Sequence, residues 1–285
     1  METGIRCLRA LAAKANPEAQ YLLGYHYAVG LAARRNLASA ASWWRKAAEQ
    51  GHPEAQYRLA LCYADGEGVA HSERLAVRWY RKAAEQGHPN AQFNLALRLR
   101  DGRGVRRDRE QAMQWLEKAA VQGRPSAQHN LALMYEGRHT AEADSKASRW
   151  YRKAAKQNHV DAQFNLALLC EKKGDGTSAA RWYRKAALNG DPAAQCNLGV
   201  AYLEGDGVPQ DPKMGISWLR KAAEQGDSRA QFNLAQAFDR GEGVPRDCRK
   251  AYWLYFSAAS QEHRRACRRL RSKMFIREVV GPEPS

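Results

Sequence analysis

Apolar residues recur along this chain at helical spacing and in two alternating registers. Ala91, Leu95 and Leu99 share one helical face, and Ala76, Trp79, Ala83 and Ala84 share another. The first pattern belongs to a block that reads AQYLLG, AQYRLA, AQFNLA, AQHNLA, AQFNLA, AQCNLG and AQFNLA. Its glutamine stands at Gln20, Gln56, Gln92, Gln128, Gln163, Gln195 and Gln231, at steps of 36, 36, 36, 35, 32 and 36 residues. A second block, WWRKAA in its first copy and WYRKAA or WLRKAA in most others, places Lys46, Lys82, Lys118, Lys153, Lys185 and Lys221 at the same steps; a looser seventh copy reads WLYFSAA. Glycine pairs separate the blocks: GEGV at 66–69, GRGV at 102–105, GDGV at 205–208 and GEGV at 241–244. The glycines predict helix ends with positive φ, and QGHPEAQ ends one helix on Gly and starts the next just after Pro. Each unit therefore predicts two helices. One such pair cannot bury its apolar face alone, whereas a stack of pairs can. The fold class expected is all-α, with about seven two-helix repeats.

The flanks continue the pattern. Residues 1–15 align with a second helix that lacks its partner, with Leu8 in the place of Trp44 and Pro17 matching Pro53. Ala266 and Leu270 lie 36 residues after Ala230 and Leu234, so a capping helix is expected over 261–278, with Cys267, Arg268 and Arg271 where the other units carry Gln, an aromatic and Ala. The expected layout is a single repeat domain over 1–285: a half-repeat at 1–15, seven repeats over 16–260, the cap, and a tail at 279–285. Two copies are irregular. The fourth replaces its glycine pair with YEGRHTAEADSKA, and the fifth is short by four residues and reads EKKGDGTSAA. Drift in a surface turn is the plain reading; a local change of curvature is the alternative.

A first helix with A-Q-aromatic-x-L-A/G, a G-x-G-V loop and an aromatic-R-K-A-A second helix at 36 residues resembles the SEL-one-like repeat family, relatives of the tetratricopeptide repeats. The resemblance covers essentially the whole chain. It implies a right-handed α-α superhelical solenoid whose first helices line the concave side, and an adaptor or scaffold role through protein–protein contacts. Stand-alone bacterial members also act as cognate, immunity-type inhibitors of toxins or secreted effectors, which is the alternative role. One branch of the family is secreted, carries paired cysteines in each repeat and binds penicillins. Here Cys7, Cys62, Cys170, Cys196, Cys248 and Cys267 lack that pairing, which disfavours the β-lactam branch and favours a reducing, cytoplasmic compartment. A periplasmic or secreted location would require a removed upstream signal.

Composition narrows the remaining classes. Of 285 residues, 46 are Lys or Arg against 30 Asp or Glu, a net charge of +16. The apolar and aromatic content is too high for a disordered chain, and no apolar run approaches the roughly 20 residues of a membrane span. C-x-x-C, H-E-x-x-H and G-x-S-x-G are all missing, and the G-x-G-V loops never complete a phosphate-binding fingerprint. No catalytic residue, metal site, cofactor or small-molecule substrate is expected, and the eight histidines, among them His52, His88 and His159 at the inter-repeat turn, are read as turn residues.

The candidate site lies on the first helices. The residue after the aromatic is Leu22, Arg58, Asn94, Asn130, Asn165, Asn197 and Asn233. Asn is a mediocre helix former, so a recurring Asn suggests an amide ladder that pairs with a partner's backbone through donor and acceptor; a hydrogen bond internal to each repeat is the competing reading. Residues four before and four after, including Glu54, Asp161, Cys62, Arg98 and Met134, are expected to share that face. Arg58 and Arg98 would add charge selectivity. Trp43, Trp79, Trp115, Trp150, Trp182 and Trp218 are assigned to the core. A basic cap of Arg264, Arg265, Arg268 and Arg269 suits an acidic protein surface, with nucleic acid disfavoured for want of a recognised module and self-association through solenoid ends as a further possibility.

Overall fold

The computed structural model describes residues 2–31, 34–138 and 140–271. Among them are sixteen helices and no strand. The chain divides into two compact units, 1–138 and 139–285. The first unit holds α1 (Glu2–Ala13), α2 (Pro17–Val29), α3 (Leu37–Glu49), α4 (Pro53–Asp65), α5 (Glu73–Glu85), α6 (Pro89–Asp101), α7 (Arg109–Val121) and α8 (Pro125–Glu136). The second holds α9 (Ala141–Lys156), α10 (Val160–Lys172), α11 (Gly176–Leu188), α12 (Pro192–Glu204), α13 (Pro212–Glu224), α14 (Ser228–Arg240), α15 (Cys248–Ser260) and α16 (Arg264–Leu270). Even-numbered helices are the first helices of the repeats. Within each unit every helix packs on its chain neighbours, which makes an all-α solenoid.

The caps explain where the helices begin. Second helices start behind Asn36, Ser72, Asp108, Thr140, Asp175, Asp211 and Asp247, each accepting a hydrogen bond from a backbone N–H in the first turn. Several first helices start behind histidine. The Nδ1 atoms of His52 and His88 accept from the N–H groups of Ala55 and Ala91 at 3.1 and 3.2 Å. The same rings stack on the aromatic of the preceding repeat, Tyr21 at 4.9 Å and Tyr57 at 4.6 Å. The turn role expected of these histidines is thus a helix cap joined to an inter-repeat stack.

Alanine fills the interior: Ala47, Ala83, Ala119, Ala154, Ala186, Ala222 and Ala258 are fully buried, and their small side chains let adjacent helices approach closely. The repeating glutamine is the buried polar group of each repeat. Gln56 Nε2 donates to the Ala48 carbonyl at 3.1 Å, while its Oε1 accepts from Gln86 at 2.7 Å. The same pair of bonds recurs at Gln20, Gln92, Gln195 and Gln231. Each amide is satisfied inside the stack, as a buried polar group must be.

The irregular copies resolve into shorter connections. Residues 141–147 of the degenerate fourth copy are helical, so α9 has 16 residues against 13 in most others, and the division between the units falls in the same connection. In the fifth copy α10 and α11 are joined by Lys173, Gly174 and Asp175, with Gly174 at φ 76°. The expected cap over 261–278 is described as α16; its residues 272–278, and the tail at 279–285, lie outside the described residues.

Candidate functional site

The exposed face of the first helices is set by helix geometry. Counting from the repeating glutamine, the residue two further on is the ladder position, and all of Arg58, Asn94, Asn130, Asn165, Asn197 and Asn233 are half-buried. The residue three after the ladder position turns outward, as at Leu133 and Leu168. The residue four after it turns inward in four repeats, where Cys62, Arg98, Leu169 and Ala237 are buried, while Met134 and Ala201 are half-buried and Met134 lines a cleft beside Asn130, as the sequence reading expected. The sequence reading placed Arg98 and Cys62 on the exposed face, and the structure places them against the second helices instead. Arg98 Nε donates to Glu73 at 3.1 Å and its guanidinium lies 4.7 Å from the Tyr80 ring centroid. That charge is engaged within the repeat.

The ladder amides are partly engaged as well. Asn130 Nδ2 donates to the Ser126 carbonyl at 2.9 Å and its Oδ1 accepts from Arg100 at 3.0 Å. Asn94 lies beside the Tyr57 and Tyr80 hydroxyls, close enough to lower both phenols against the rise that burial imposes. The Tyr80 hydroxyl is fully buried without a hydrogen bond of normal geometry. Asn197 stands over Tyr183, Asn233 Nδ2 is 3.8 Å from the Cys196 sulfur, and Asn165 is half-buried on α10. Arg58 donates to Glu54 at 3.0 Å, and the other Glu54 oxygen lies 2.8 Å from His88 Nε2. Burial raises the Glu54 carboxyl, but the hydrogen bonds and charges of His88 and Arg58 outweigh that and hold it below its ordinary value.

The basic cap is where cationic side chains remain available. Arg269 occupies the ladder register of α16 and donates through Nε and Nη2 to Asp239 Oδ2 at 3.1 and 2.7 Å. Arg264, Arg265 and Arg268 are exposed. A cleft of about 570 Å³ opens between α14 and α16, floored by Tyr255 and walled by Phe232, Arg240, Arg246, Arg265 and Arg268. Arg268 stands in the register where other first helices carry the stacking aromatic. The Arg cluster of residues 98–109 is more neutralised, since Arg98 and Arg103 both face Glu73 and Arg100 pairs with Asp101.

The tryptophan stripe is only partly interior. Trp79, Trp182 and Trp218 are buried as expected, while Trp43, Trp115 and Trp150 are half-buried. Each indole carries the ammonium of the lysine three residues on, at 4.1 to 4.6 Å. The lysines of the R-K pair are therefore held as cation–π covers over the aromatic row. Sequence reasoning did not find this, nor the floor tyrosines Tyr80, Tyr183 and Tyr255; the recurring W-Y dipeptide and the i, i+3 Trp–Lys spacing were the available signals.

Helix pairs stacked on a satisfied glutamine ladder, with an exposed first-helix face, define a helical repeat protein of the class that presents extended surfaces to other proteins. The chain belongs to the Sel1 repeat family, whose repeat matches residues 17–52, 53–88, 89–123, 125–159, 160–191, 192–227 and 228–263. A Sel1 repeat protein from Oxalobacter formigenes is 38% identical, covers 93% of this chain and 78% of its own, and superposes with a TM-score of 0.72. A protective antigen present in uropathogenic Escherichia coli strains is 30% identical over 97% of this chain and 69% of its own, with a TM-score of 0.61. No curated protein matches the chain. No helix among the described residues is long and apolar enough to cross a membrane.

Proposed function

We propose that this protein is a non-catalytic interaction module that captures a partner protein on the face of its first helices, and that the arginine cleft of the last repeat supplies much of the selectivity. The observation that carries this reading is the composition of that cleft. Among the described residues Arg265 and Arg268 are exposed, make no ion pair, and flank a cavity of about 570 Å³ whose single carboxylate, Asp239, is already engaged by Arg269. Repulsion among unpaired like charges is a cost to the fold, and an acidic partner surface relieves it. Arg58, Asn94 and Asn130 on the first helices of the first unit, and Asn165, Asn197 and Asn233 on those of the second, add polar contacts of lower charge. An adaptor and an inhibitor of a secreted effector would use this surface alike and differ in what the partner loses on binding. All six cysteines are free, which supports a reducing compartment.

The test is affinity capture from source-cell lysate at roughly 0.15 and 0.5 M salt, where screening differs strongly. Wild type is run beside Arg265→Glu/Arg268→Glu. A protein retained by wild type at both salts and lost by the variant is the expected result. Recovery of only salt-labile nucleic acid, equal for both chains, would overturn the reading. The captured protein then separates the two roles, since co-expression suppresses the activity of a target that is inhibited and leaves that of a client unchanged.

A further inference from the structure

The first-helix face of the second unit changes sign along its length. Its clefts share one plan: two neighbouring first helices form the walls, and a residue of the second helix between them forms the floor. Between α10 and α12 the floor is Tyr183, whose hydroxyl donates to Glu171, with Asn197, Glu204 and Asp206 around it. Glu171, Glu204 and Asp206 are exposed and none has a cationic partner among the described residues. Between α12 and α14 Leu219 replaces the tyrosine and Leu203 the carboxylate, both packed in one hydrophobic cluster with Val200. Asn233, Arg240 and Glu242 stand there where Asn197, Glu204 and Asp206 stand, and the last two pair with each other at 3.5 Å, which leaves this step apolar at its floor and without excess charge. Between α14 and α16 the floor is again a tyrosine, Tyr255, and Asp239 takes the place of Glu171. Here Arg269 stands where Asn197 stands and neutralises the carboxylate, and Arg265 and Arg268 are left in excess. One repeat plan thus yields an anionic cleft, an apolar step and a cationic cleft in order.

We propose that this face binds one extended segment of a partner protein whose charge is segregated: a cationic side chain at the α10–α12 cleft, an apolar stretch across α12–α14, and carboxylates at the α14–α16 cleft. This deepens the protein-binding reading above and rests on it. Packed helices lie about 8–10 Å apart, so the outer clefts are about 20 Å apart. An extended chain rising ~3.3 Å per residue covers that in about six residues. Opposed charges at the two ends fix the direction and register of the segment, which is where electrostatic complementarity acts most strongly. An anionic polymer such as nucleic acid would use the arginines and be repelled by the acidic cleft.

The experiment uses the full chain and three fluorescent ten-residue peptides at low salt, read by anisotropy. One carries two lysines, an apolar middle and two glutamates. The second has the same composition with lysine and glutamate alternating. The third carries glutamates at both ends. The segregated peptide is expected to bind at least tenfold tighter than the alternating one. Arg265→Glu/Arg268→Glu should weaken it tenfold or more, and so should Glu204→Lys/Asp206→Lys. The second variant should bind the all-acidic peptide more tightly than wild type does, a gain that a misfolded chain would not show. Equal binding of the segregated and alternating peptides, or indifference of both to Glu204→Lys/Asp206→Lys, would overturn the polarity. A lysate partner that needs Arg265 and Arg268 but ignores Glu204→Lys/Asp206→Lys would overturn it too, while leaving the protein-binding reading intact.

Discussion

Gln163 is fully buried, and both ends of its amide are used: Nε2 donates to the Ala155 carbonyl at 3.1 Å and Oε1 accepts from Asn189 at 3.1 Å. Replacement by leucine fits the space but strands a carbonyl and an amide. Gln163→Leu should therefore cost about 1–3 kcal/mol in urea unfolding, the penalty for buried groups left unpaired. The thiols differ in the same local way. Burial first, then neighbouring carboxylates, push Cys62 up to about 11 and Cys196 up to about 12. Native protein at pH 8 should release neither to a thiol reagent until it unfolds, whereas exposed Cys7 should react at once. Glu54 gives the chain an acid-sensitive node. Its carboxyl is held below its unfolded value by His88 and Arg58, so its contribution is present above the unfolded pKa and is lost as pH falls through the folded one. Glu54→Gln should flatten the acid limb of a stability–pH profile below about pH 4.3, where an ordinary Glu protonates.

At the level of elements, the glycines of the G-x-G-V loops and of the inter-repeat turns were both legible as turn residues, but they do different things. A Cβ on Gly68, at φ 72°, would lie 2.2 Å from the Leu37 carbonyl oxygen, because the loop packs on the start of the preceding second helix. Gly51, at φ 94°, has open space where its Cβ would go. Both substitutions to alanine carry the left-handed backbone cost of roughly 1–2 kcal/mol, and only Gly68→Ala adds the repacking cost of about 1–3 kcal/mol. Thermal melts of the two variants should separate accordingly; equal shifts would mean the loop yields without cost. The helices themselves were readable because their spacing, prolines and glycines act locally. The inward turn of Arg98 was not. Residues three and four after the ladder position lie one helical step apart, and which of them is covered depends on where the second helix packs.

At the level of the whole chain, stability in a repeat array is a sum of repeat and nearest-neighbour contributions. The regular G-x-G-V loop is missing at the connection where the two units divide. Fragments 1–138 and 139–285 should therefore each fold alone, with helical circular dichroism and a cooperative melt; a fragment that is helical but melts without a transition would contradict this. The charge pattern belongs to the same scale. Net charge is a property of composition and was visible as +16. Where it is available was not, because Glu73 and Asp239 reach across helices to neutralise Arg98 and Arg269 and leave Arg265 and Arg268 unmatched among the described residues.

The sequence by itself determined the repeat, its period, the two-helix unit, the turns and the family, since all of these follow from spacing and from residues that act on their own backbone. Only the tertiary structure decided that the repeating glutamine is an internal ladder and that the last cleft of the second unit is cationic while its first is anionic. These depend on side chains about 30 residues apart in the chain, as Arg269 and Asp239 are, and a linear pattern carries no distance between them until the helices are stacked.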